Sequence, residues 1–97
     1  MLNSKQRAAL RSQANTMETI LQIGKGGITD SLVRQVDDAL TAREMIKLHV
    51  LESAMLTARE ACGELCDKCG AEPVQVIGGR MVLYRMHPDT EKRIYKL

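Results

Sequence analysis

The sequence predicts an α/β fold in which a mixed four-stranded sheet is covered by three helices, in the order α-β-α-β-α-β-β. Apolar residues recur at helical spacing in separate segments, apolar or alternating runs of strand length lie between them, and a pair of glycines joins the last two runs. A helix between consecutive strands favours parallel pairing, whereas the glycine pair favours an antiparallel hairpin. The sheet is therefore expected to be mixed.

The first helix is predicted from Ser4, a favourable N-cap residue, to about Ala14. A strand follows over residues 18–23, which are rich in isoleucine and leucine. Gly24 is expected to end that strand, because glycine favours turns over extended structure.

Thr29 is predicted to cap a second helix, in which apolar residues recur at helical spacing up to Leu40. An alternating strand follows over residues 45–50, with Lys47 and His49 on the face opposite its apolar side chains. Because a helix connects this strand to the first one, the two strands are expected to pair in parallel through a right-handed crossover.

A third helix is predicted from about Ser53 to Lys68, with Gly70 at the position of a C-cap glycine. Its apolar side chains form one continuous stripe: Met55, Ala58, Cys62, Leu65, Cys66 and Cys69. A stripe of this kind is expected to pack against the sheet.

Two further strands are predicted over residues 74–77 and 81–84. The Gly78-Gly79 pair between them is a strong signal for a two-residue hairpin turn, so these strands are expected to be antiparallel neighbours.

The length of 97 residues suits one compact domain. We expect a single domain over residues 1–97, with a compact core over about residues 3–85 and a charged tail over about residues 86–97. No apolar run approaches the length of a transmembrane helix, and the first residues lack the apolar core of a secretion signal. A cytoplasmic protein without a membrane partner is therefore expected.

The net charge of +2 conceals an uneven distribution of charge along the chain. Residues 1–27 and 73–97 are both net positive, whereas residues 28–72 are net negative. If the fold brings the two ends together, one face becomes basic and suits a nucleic acid.

A glycine-rich loop, Gly24-Lys25-Gly26-Gly27, lies between the first strand and the second helix. A dinucleotide-binding loop would need a third glycine where Thr29 stands, and a phosphate loop of the Walker type would need Gly-Lys-Ser or Gly-Lys-Thr at the start of the helix. The remaining pattern, Gly-X-X-Gly, occurs in modules that clamp a nucleic-acid backbone. A tight turn with no ligand has the same pattern, so both interpretations stay open on spacing alone.

Catalytic and metal sites are not indicated. No pair of acidic residues, and no serine or cysteine beside a base, forms a recognisable catalytic motif, so we expect no enzyme and no cofactor. Three cysteines cannot all pair within one chain, and Cys62, Cys66 and Cys69 lack a nearby fourth ligand for zinc. They are expected to be reduced core residues rather than metal ligands, with a redox or metal sensor as a less favoured alternative.

Aromatic residues are scarce, since Tyr84 and Tyr95 are the only two. A sheet that stacks several bases on aromatic rings is therefore not available. RNA binding by this chain is expected to depend on backbone contacts, shape and charge, with strong salt dependence.

Several motifs occur in order along the chain: Ser4-Lys5-Gln6-Arg7, Ile23-Gly24-Lys25-Gly26-Gly27-Ile28-Thr29, Glu44-Met45-Ile46-Lys47, Val74-Gln75-Val76-Ile77-Gly78 and Leu83-Tyr84-Arg85. Together they resemble the CRM domain (chloroplast RNA splicing and ribosome maturation) in its single-domain bacterial YhbY-like form. The resemblance implies a fold similar to the C-terminal domain of translation initiation factor three. It also implies a non-catalytic RNA-binding protein that associates with precursors of the large ribosomal subunit and assists ribosome assembly.

The resemblance places RNA-binding positions on nine residues: Lys5, Arg7, Arg11, Gly24, Lys25, Gly26, Gly27, Lys47 and Arg85. The chain departs from the family at Gly26, where asparagine is frequent, and at His49, where a second lysine is frequent. Met17-Glu18-Thr19 also stands where the family commonly has a basic approach to the first strand. These departures are expected to reduce affinity rather than change the type of partner.

The expected partner is RNA, ribosomal RNA in particular, bound by a monomer. The alternative is a protein-interaction adaptor whose acidic middle segment docks a basic partner through four residues: Asp37, Asp38, Glu60 and Glu64. The sequence does not identify the RNA segment or the assembly step.

Overall fold

The computed structural model of the protein describes residues 2–95 and 97. Its helices and strands follow one another in the order that the sequence predicts. The helices are α1 (Ser4–Ala14), α2 (Asp30–Arg43) and α3 (Ala58–Cys69), and the strands are β1 (Thr19–Ile23), β2 (Met45–Val50), β3 (Glu72–Ile77) and β4 (Arg80–Tyr84). Short 3-10 helices cover Glu52–Ala54 and Thr90–Lys92. The predicted fold class and element order are confirmed.

The four strands form one sheet in the order β1-β2-β4-β3. β1 and β2 pair in parallel, as predicted, whereas β4 is antiparallel to both β2 and β3. The crossover through α2 and the hairpin between β3 and β4 therefore account for the mixed character of the sheet.

The sheet has a core on each of its two faces. On one face, which we call the α2/α3 face, Ile46, Leu48 and Leu83 pack with buried residues of both helices. On the other, the α1 face, Leu10 and Ala14 pack on a smaller cluster that consists of Leu2, Met45, Val74, Val82 and Tyr84. Because side chains alternate along each strand, Lys47 and His49 lie on the α1 face.

The N-cap of α1 is Asn3 rather than Ser4. The Asn3 side chain accepts a hydrogen bond from the backbone N–H of Gln6 at 2.8 Å, and the Gln6 side chain accepts one from the backbone N–H of Asn3 at 3.1 Å. This reciprocal capping box satisfies two backbone donors, which Ser4 by itself could not do. The predicted cap of α2 is confirmed, since Thr29 accepts a hydrogen bond from the N–H of Leu32 at 3.1 Å.

The prediction that α3 begins near Ser53 was wrong. The helix begins at Ala58, because Thr57 and Glu60 form a capping box at that point. Met55 precedes the helix in a left-handed conformation, with φ of 59°, and its side chain is 91% exposed, so it does not belong to the buried stripe. Gly70 ends the helix with φ of 64°, as predicted for a C-cap glycine.

Residues 86–95 fold back on the domain and are held by Glu44. Glu44 lies at the C-cap of α2 with φ of 62° and is only 1% exposed. Its carboxylate accepts hydrogen bonds from the backbone N–H groups of His87 at 2.7 Å, Tyr95 at 3.0 Å and Ile94. The Tyr95 ring then meets the buried Tyr84 ring edge to face, with 6.3 Å between centroids.

Candidate nucleic-acid interface

The glycine-rich loop is a tight turn with Lys25 and Gly26 at its corner. The backbone N–H of Gly27 donates to the carbonyl of Gly24 at 2.9 Å, and Gly27 has φ of 66°, a conformation that favours glycine. Within the described chain, the backbone N–H groups of Lys25 and Gly26 donate to no protein acceptor, and the Lys25 side chain is exposed. The turn thus presents one cation and two free amide donors to an approaching anion.

The segment after β2 packs against this loop. The N–H of Leu51 donates to the carbonyl of Ile23 at 2.9 Å, which ties the end of β1 to the residue after β2. A Cβ atom on Gly24 would lie 3.8 Å from the Leu51 and Ser53 side chains, and one on Gly27 would lie 3.7 Å from Leu56. The loop therefore packs against the rest of the domain and does not project freely into solvent.

The N-terminus of α2 is less suited to phosphate than the sequence indicates. Asp30 occupies the first turn of the helix, where its negative charge stabilises the helix dipole. The same charge opposes a phosphate at that position. An anion is better placed at Lys25 and the two free loop amides.

The three basic residues of α1 have different environments. Lys5 and Arg11 are exposed, whereas Arg7 is half-buried and its Nε donates to the carbonyl of Pro73 at 3.1 Å. Arg7 therefore anchors α1 to β3 and retains its terminal guanidinium nitrogens for a partner.

Lys47 lies in a groove on the part of the α1 face that the helix leaves open. The groove has a volume of about 210 Å³ and is lined by Asn15, Lys47, Gln75, Ile77, Arg80 and Val82. Arg80 was not among the residues predicted from the sequence. The signal was present, because strand alternation after the Gly78-Gly79 turn places Arg80 and Val82 on one face.

Arg85 lies on the α2/α3 face, apart from the other predicted residues. Its guanidinium donates to the Asp37 carboxylate at 2.6 Å and to the Asp37 carbonyl at 3.0 Å, and it also donates to the Thr41 hydroxyl at 2.9 Å and the Cys69 carbonyl at 2.8 Å. These four bonds join β4 to both α2 and α3. The structure thus gives Arg85 a structural role.

The fold groups four of the six predicted basic residues on one side of the sheet. Lys5, Arg7, Arg11 and Lys47 lie on α1 or on the sheet face that α1 covers, and the Gly24–Gly27 loop lies at the edge where β1 ends. Among the described residues, Lys5, Arg11, Lys25, Lys47 and Arg80 form no ion pair. These cations are available to an external anion.

The four acidic residues that the adaptor alternative assigned to a basic partner are on α2 and α3, and all of them except Asp38 have partners within the protein. Asp37 binds Arg85, and Glu64 lies 3.4 Å from Lys68 one turn further along α3. Hydrogen bonds from the backbone N–H and hydroxyl of Thr57 lower the pKa of Glu60, which caps α3. The structure therefore explains these charges without an external basic partner.

The cysteines lie along the inner side of α3. Cys62 and Cys69 are buried and Cys66 is half-buried, and all three are free thiols. Burial raises the pKa of the Cys69 thiol, so it is neutral at physiological pH. Among residues 2–95 and 97, no three histidine, cysteine or acidic side chains are grouped so that they could hold a metal ion.

No helix in the described part of the chain is long and apolar enough to cross a membrane. The described helices are at most 14 residues long.

Comparisons with known proteins agree with the features described above. The CRS1/YhbY (CRM) domain family matches residues 2–85. The probable RNA-binding protein YqeI of Bacillus subtilis is 39% identical over 92 residues, which cover 95% of this chain and 96% of YqeI. A probable RNA-binding protein of Methanocaldococcus jannaschii is 31% identical, over 98% of this chain and 72% of that protein.

The fold is also that of a solved structure. The solution structure of a hypothetical protein from Staphylococcus aureus superposes with a TM-score of 0.76 at 38% sequence identity. The match covers 96% of this chain and 97% of that one. Similarity thus extends over almost the whole length of both chains.

Proposed function

Because the chain belongs to the CRS1/YhbY (CRM) domain family, we propose that it is a non-catalytic RNA-binding protein that assists assembly of the large ribosomal subunit. The observation that carries the proposal is a set of cations on α1, on the open sheet face and at the glycine turn that form no ion pair among the described residues, together with the free amide donors of that turn. Relatives over the full chain length are named RNA-binding proteins. The whole chain, residues 1–97, would act as a single RNA-binding domain, as a monomer in the cytoplasm.

In the proposed mode of binding, an RNA phosphate lies against the Gly24–Gly27 turn. The Lys25 ammonium and the N–H groups of Lys25 and Gly26 neutralise and position it. Lys5, Arg7, Arg11 and Lys47 contact neighbouring phosphates on the α1 side. Gly26 allows the phosphate to come close to the loop backbone, because it has no side chain to separate the backbone from the RNA.

Lys25→Glu tests the role of the turn. We expect this variant to bind a structured RNA at least tenfold more weakly, because a phosphate contact is replaced by a repulsive one. Thermal stability should be nearly unchanged, since Lys25 is exposed and makes no ion pair among the described residues. Affinity is measured by fluorescence anisotropy at several salt concentrations.

Lys92→Glu is the matched control, because it makes the same charge change at an exposed lysine that forms no ion pair among the described residues and lies outside the proposed interface. It should retain most of the wild-type affinity. Equal affinities for wild type and Lys25→Glu would remove the turn from the mechanism.

The ribosomal part of the proposal requires a separate experiment. Cell extract is fractionated on a sucrose gradient and the protein is followed with an antibody. We expect it to sediment with the large subunit or its precursors and to leave them at high salt. If the protein is found only at the top of the gradient at low salt, the ribosomal role is wrong. RNA binding itself is then tested separately by the anisotropy titrations.

A further inference from the structure

We propose that the groove on the open part of the α1 face holds one unpaired nucleobase of the bound RNA. The inference rests on the proposed RNA binding and adds to it the kind of RNA that is preferred, a helix with a bulged or looped-out nucleotide. The groove is separate from the Gly24–Gly27 turn, so the two sites can be tested independently.

Strand pairing builds the groove from two rows of side chains. Lys47, Val82 and Gln75 form one row across β2, β4 and β3, because Val82 is the pairing partner of both other residues. Arg80 and Ile77 pair with each other across β4 and β3, and they form the second row. Asn15, at the C-cap of α1, closes the groove at the end of the helix.

The lining combines an apolar surface with polar groups that have no partner. Val82 is 1% exposed and forms the floor, whereas Ile77 is 65% exposed and forms a rim. The side-chain amides of Asn15 and Gln75 make no hydrogen bond within residues 2–95 and 97. Each amide carries both a donor and an acceptor, which is the combination that pairs with the edge of a base.

Charge favours a nucleotide over a neutral ligand. Lys47 and Arg80 line the groove, and no acidic residue does. A base against the exposed Ile77 side chain, with its edge at the amides, would leave its phosphate near these two cations. The volume of about 210 Å³ is below the range typical of pockets for drug-sized ligands, so it suits a single ring system.

The absence of aromatic side chains from the lining supplies a spectroscopic test. Tyr84 is buried and Tyr95 packs against it, so neither lines the groove. An extruded base would therefore leave its stack in the RNA helix without stacking on the protein. Fluorescence of 2-aminopurine, which base stacking quenches, should rise when such a base enters the groove.

The experiment uses two hairpin RNAs that differ only in one bulged 2-aminopurine. The full-length protein is expected to bind the bulged hairpin about five- to tenfold more tightly than the fully paired one, with a rise in fluorescence. Gln75→Ala should lose most of this preference and retain its affinity for the paired hairpin. Gln35→Ala, an exposed change on α2, is the matched control and should behave as wild type.

Ile77→Ser is a second variant for the same measurement, because Ile77 is exposed and its replacement leaves the core intact. It should reduce the preference as Gln75→Ala does. If the protein binds both hairpins equally, or if neither variant reduces the preference, the groove does not hold a base. In that case binding that remains sensitive to Lys25→Glu and to salt leaves the proposed function standing, whereas loss of all RNA binding overturns both.

An acidic peptide is the competing occupant. If poly-glutamate displaces the bulged hairpin from wild type and has no effect on Gln75→Ala, the groove is a peptide site and the assignment to a nucleobase is wrong. If poly-glutamate affects wild type and Gln75→Ala equally at matched ionic strength, it acts only through general charge, and the assignment is supported.

Discussion

Two arginines near the ends of β4 show how position within a strand decides the role of a residue. Arg80 points to the α1 face, lines the open groove and has no ion pair among the described residues. Arg85 follows the strand on the opposite face, where four hydrogen bonds bind it to α2 and α3. Both carry the same charge, so composition could not distinguish the arginine that lines the open groove from the one that joins β4 to the helices.

Glu44 is the buried residue on which the end of the chain depends. Burial opposes ionisation of its carboxyl, but the backbone N–H groups of His87, Tyr95 and Ile94 donate hydrogen bonds to the charged form and outweigh it. The net effect lowers its pKa below the ordinary value of 4.5. Such a group stabilises the fold when pH is above its unfolded pKa, and the stabilisation is lost as pH falls through the folded pKa.

Glu44→Gln should therefore destabilise the protein and flatten its response to acid. We expect a loss of about 2 kcal/mol in the free energy of unfolding at pH 7, because hydrogen bonds to a charged acceptor are replaced by weaker ones. Below about pH 4.5 the difference between variant and wild type should shrink, since the wild-type carboxyl then becomes protonated. Urea denaturation at a series of pH values measures both effects.

Glu52→Gln, an exposed glutamate in the first 3-10 helix, is the control and should follow the wild-type curve. A constant difference between Glu44→Gln and wild type from pH 7 to pH 3 would show that the charge of Glu44 is not what holds the C-terminal segment.

At the scale of elements, α2 combines a strong cap with a charge that opposes the proposed ligand. Thr29 and Asp30 stabilise the N-terminus of this helix, which lies next to the glycine turn. The arrangement favours helix stability at the expense of phosphate affinity. It is consistent with a turn in which Lys25, rather than the helix dipole, provides most of the attraction.

Asp30→Asn is therefore expected to tighten RNA binding. Removal of one negative charge beside the turn should raise affinity about two- to fivefold at low salt, and the gain should fall as salt screens the charge. Stability should decrease by about 0.3–1 kcal/mol, because a favourable interaction with the helix dipole is lost. Anisotropy titrations and thermal denaturation give the two quantities.

Asp38→Asn removes the same charge from the exposed part of α2 far along the helix, and it should leave affinity almost unchanged. If Asp30→Asn binds RNA no better than Asp38→Asn, phosphate does not approach the start of α2.

The start of α3 shows where local patterns mislead. Met55 stands at helical spacing with the cysteine stripe, so periodicity extends the helix through it. The capping box of Thr57 and Glu60 begins the helix later, and Met55 adopts a left-handed conformation in the connection. A capping box involves four consecutive residues and two hydrogen bonds. It therefore determines where the helix begins more strongly than one apolar residue that fits the helical spacing.

At the scale of the whole molecule, the fold converts an uneven charge distribution into two different sides. The basic residues of α1 lie on the same side of the sheet as Lys47 and Arg80, while the acidic residues of α2 and α3 lie on the other side. A polyanion can then approach the α1 face without meeting the acidic residues of α2 and α3, although it meets Asp30 where it reaches the glycine turn.

The C-terminal segment is part of this structure even though the family match ends at residue 85. Deletion of residues 86–97 removes the donors to Glu44 and the Tyr95 ring that contacts Tyr84. We expect the shortened chain to lose about 2–4 kcal/mol in the free energy of unfolding. Urea denaturation of the two chains provides the measurement.

Deletion of Leu97 alone should have little effect, because the described contacts of the segment are made by earlier residues. The shortened chain should still bind RNA where it is folded, since every proposed phosphate contact precedes residue 86. Wild-type stability in the shortened chain would contradict a supporting role for the segment.

The sequence by itself determined the fold class, the order of elements and the position of the glycine turn. Periodicity, the Thr29 cap and the paired glycines are local signals, and each specifies structure within a few residues. Only the tertiary structure decided which cations are free, because Arg85 finds Asp37 and Thr41 at distant positions in the chain. The same holds for Glu44, whose donors lie more than 40 residues away, and for the groove, which forms only when three strands and the end of α1 come together.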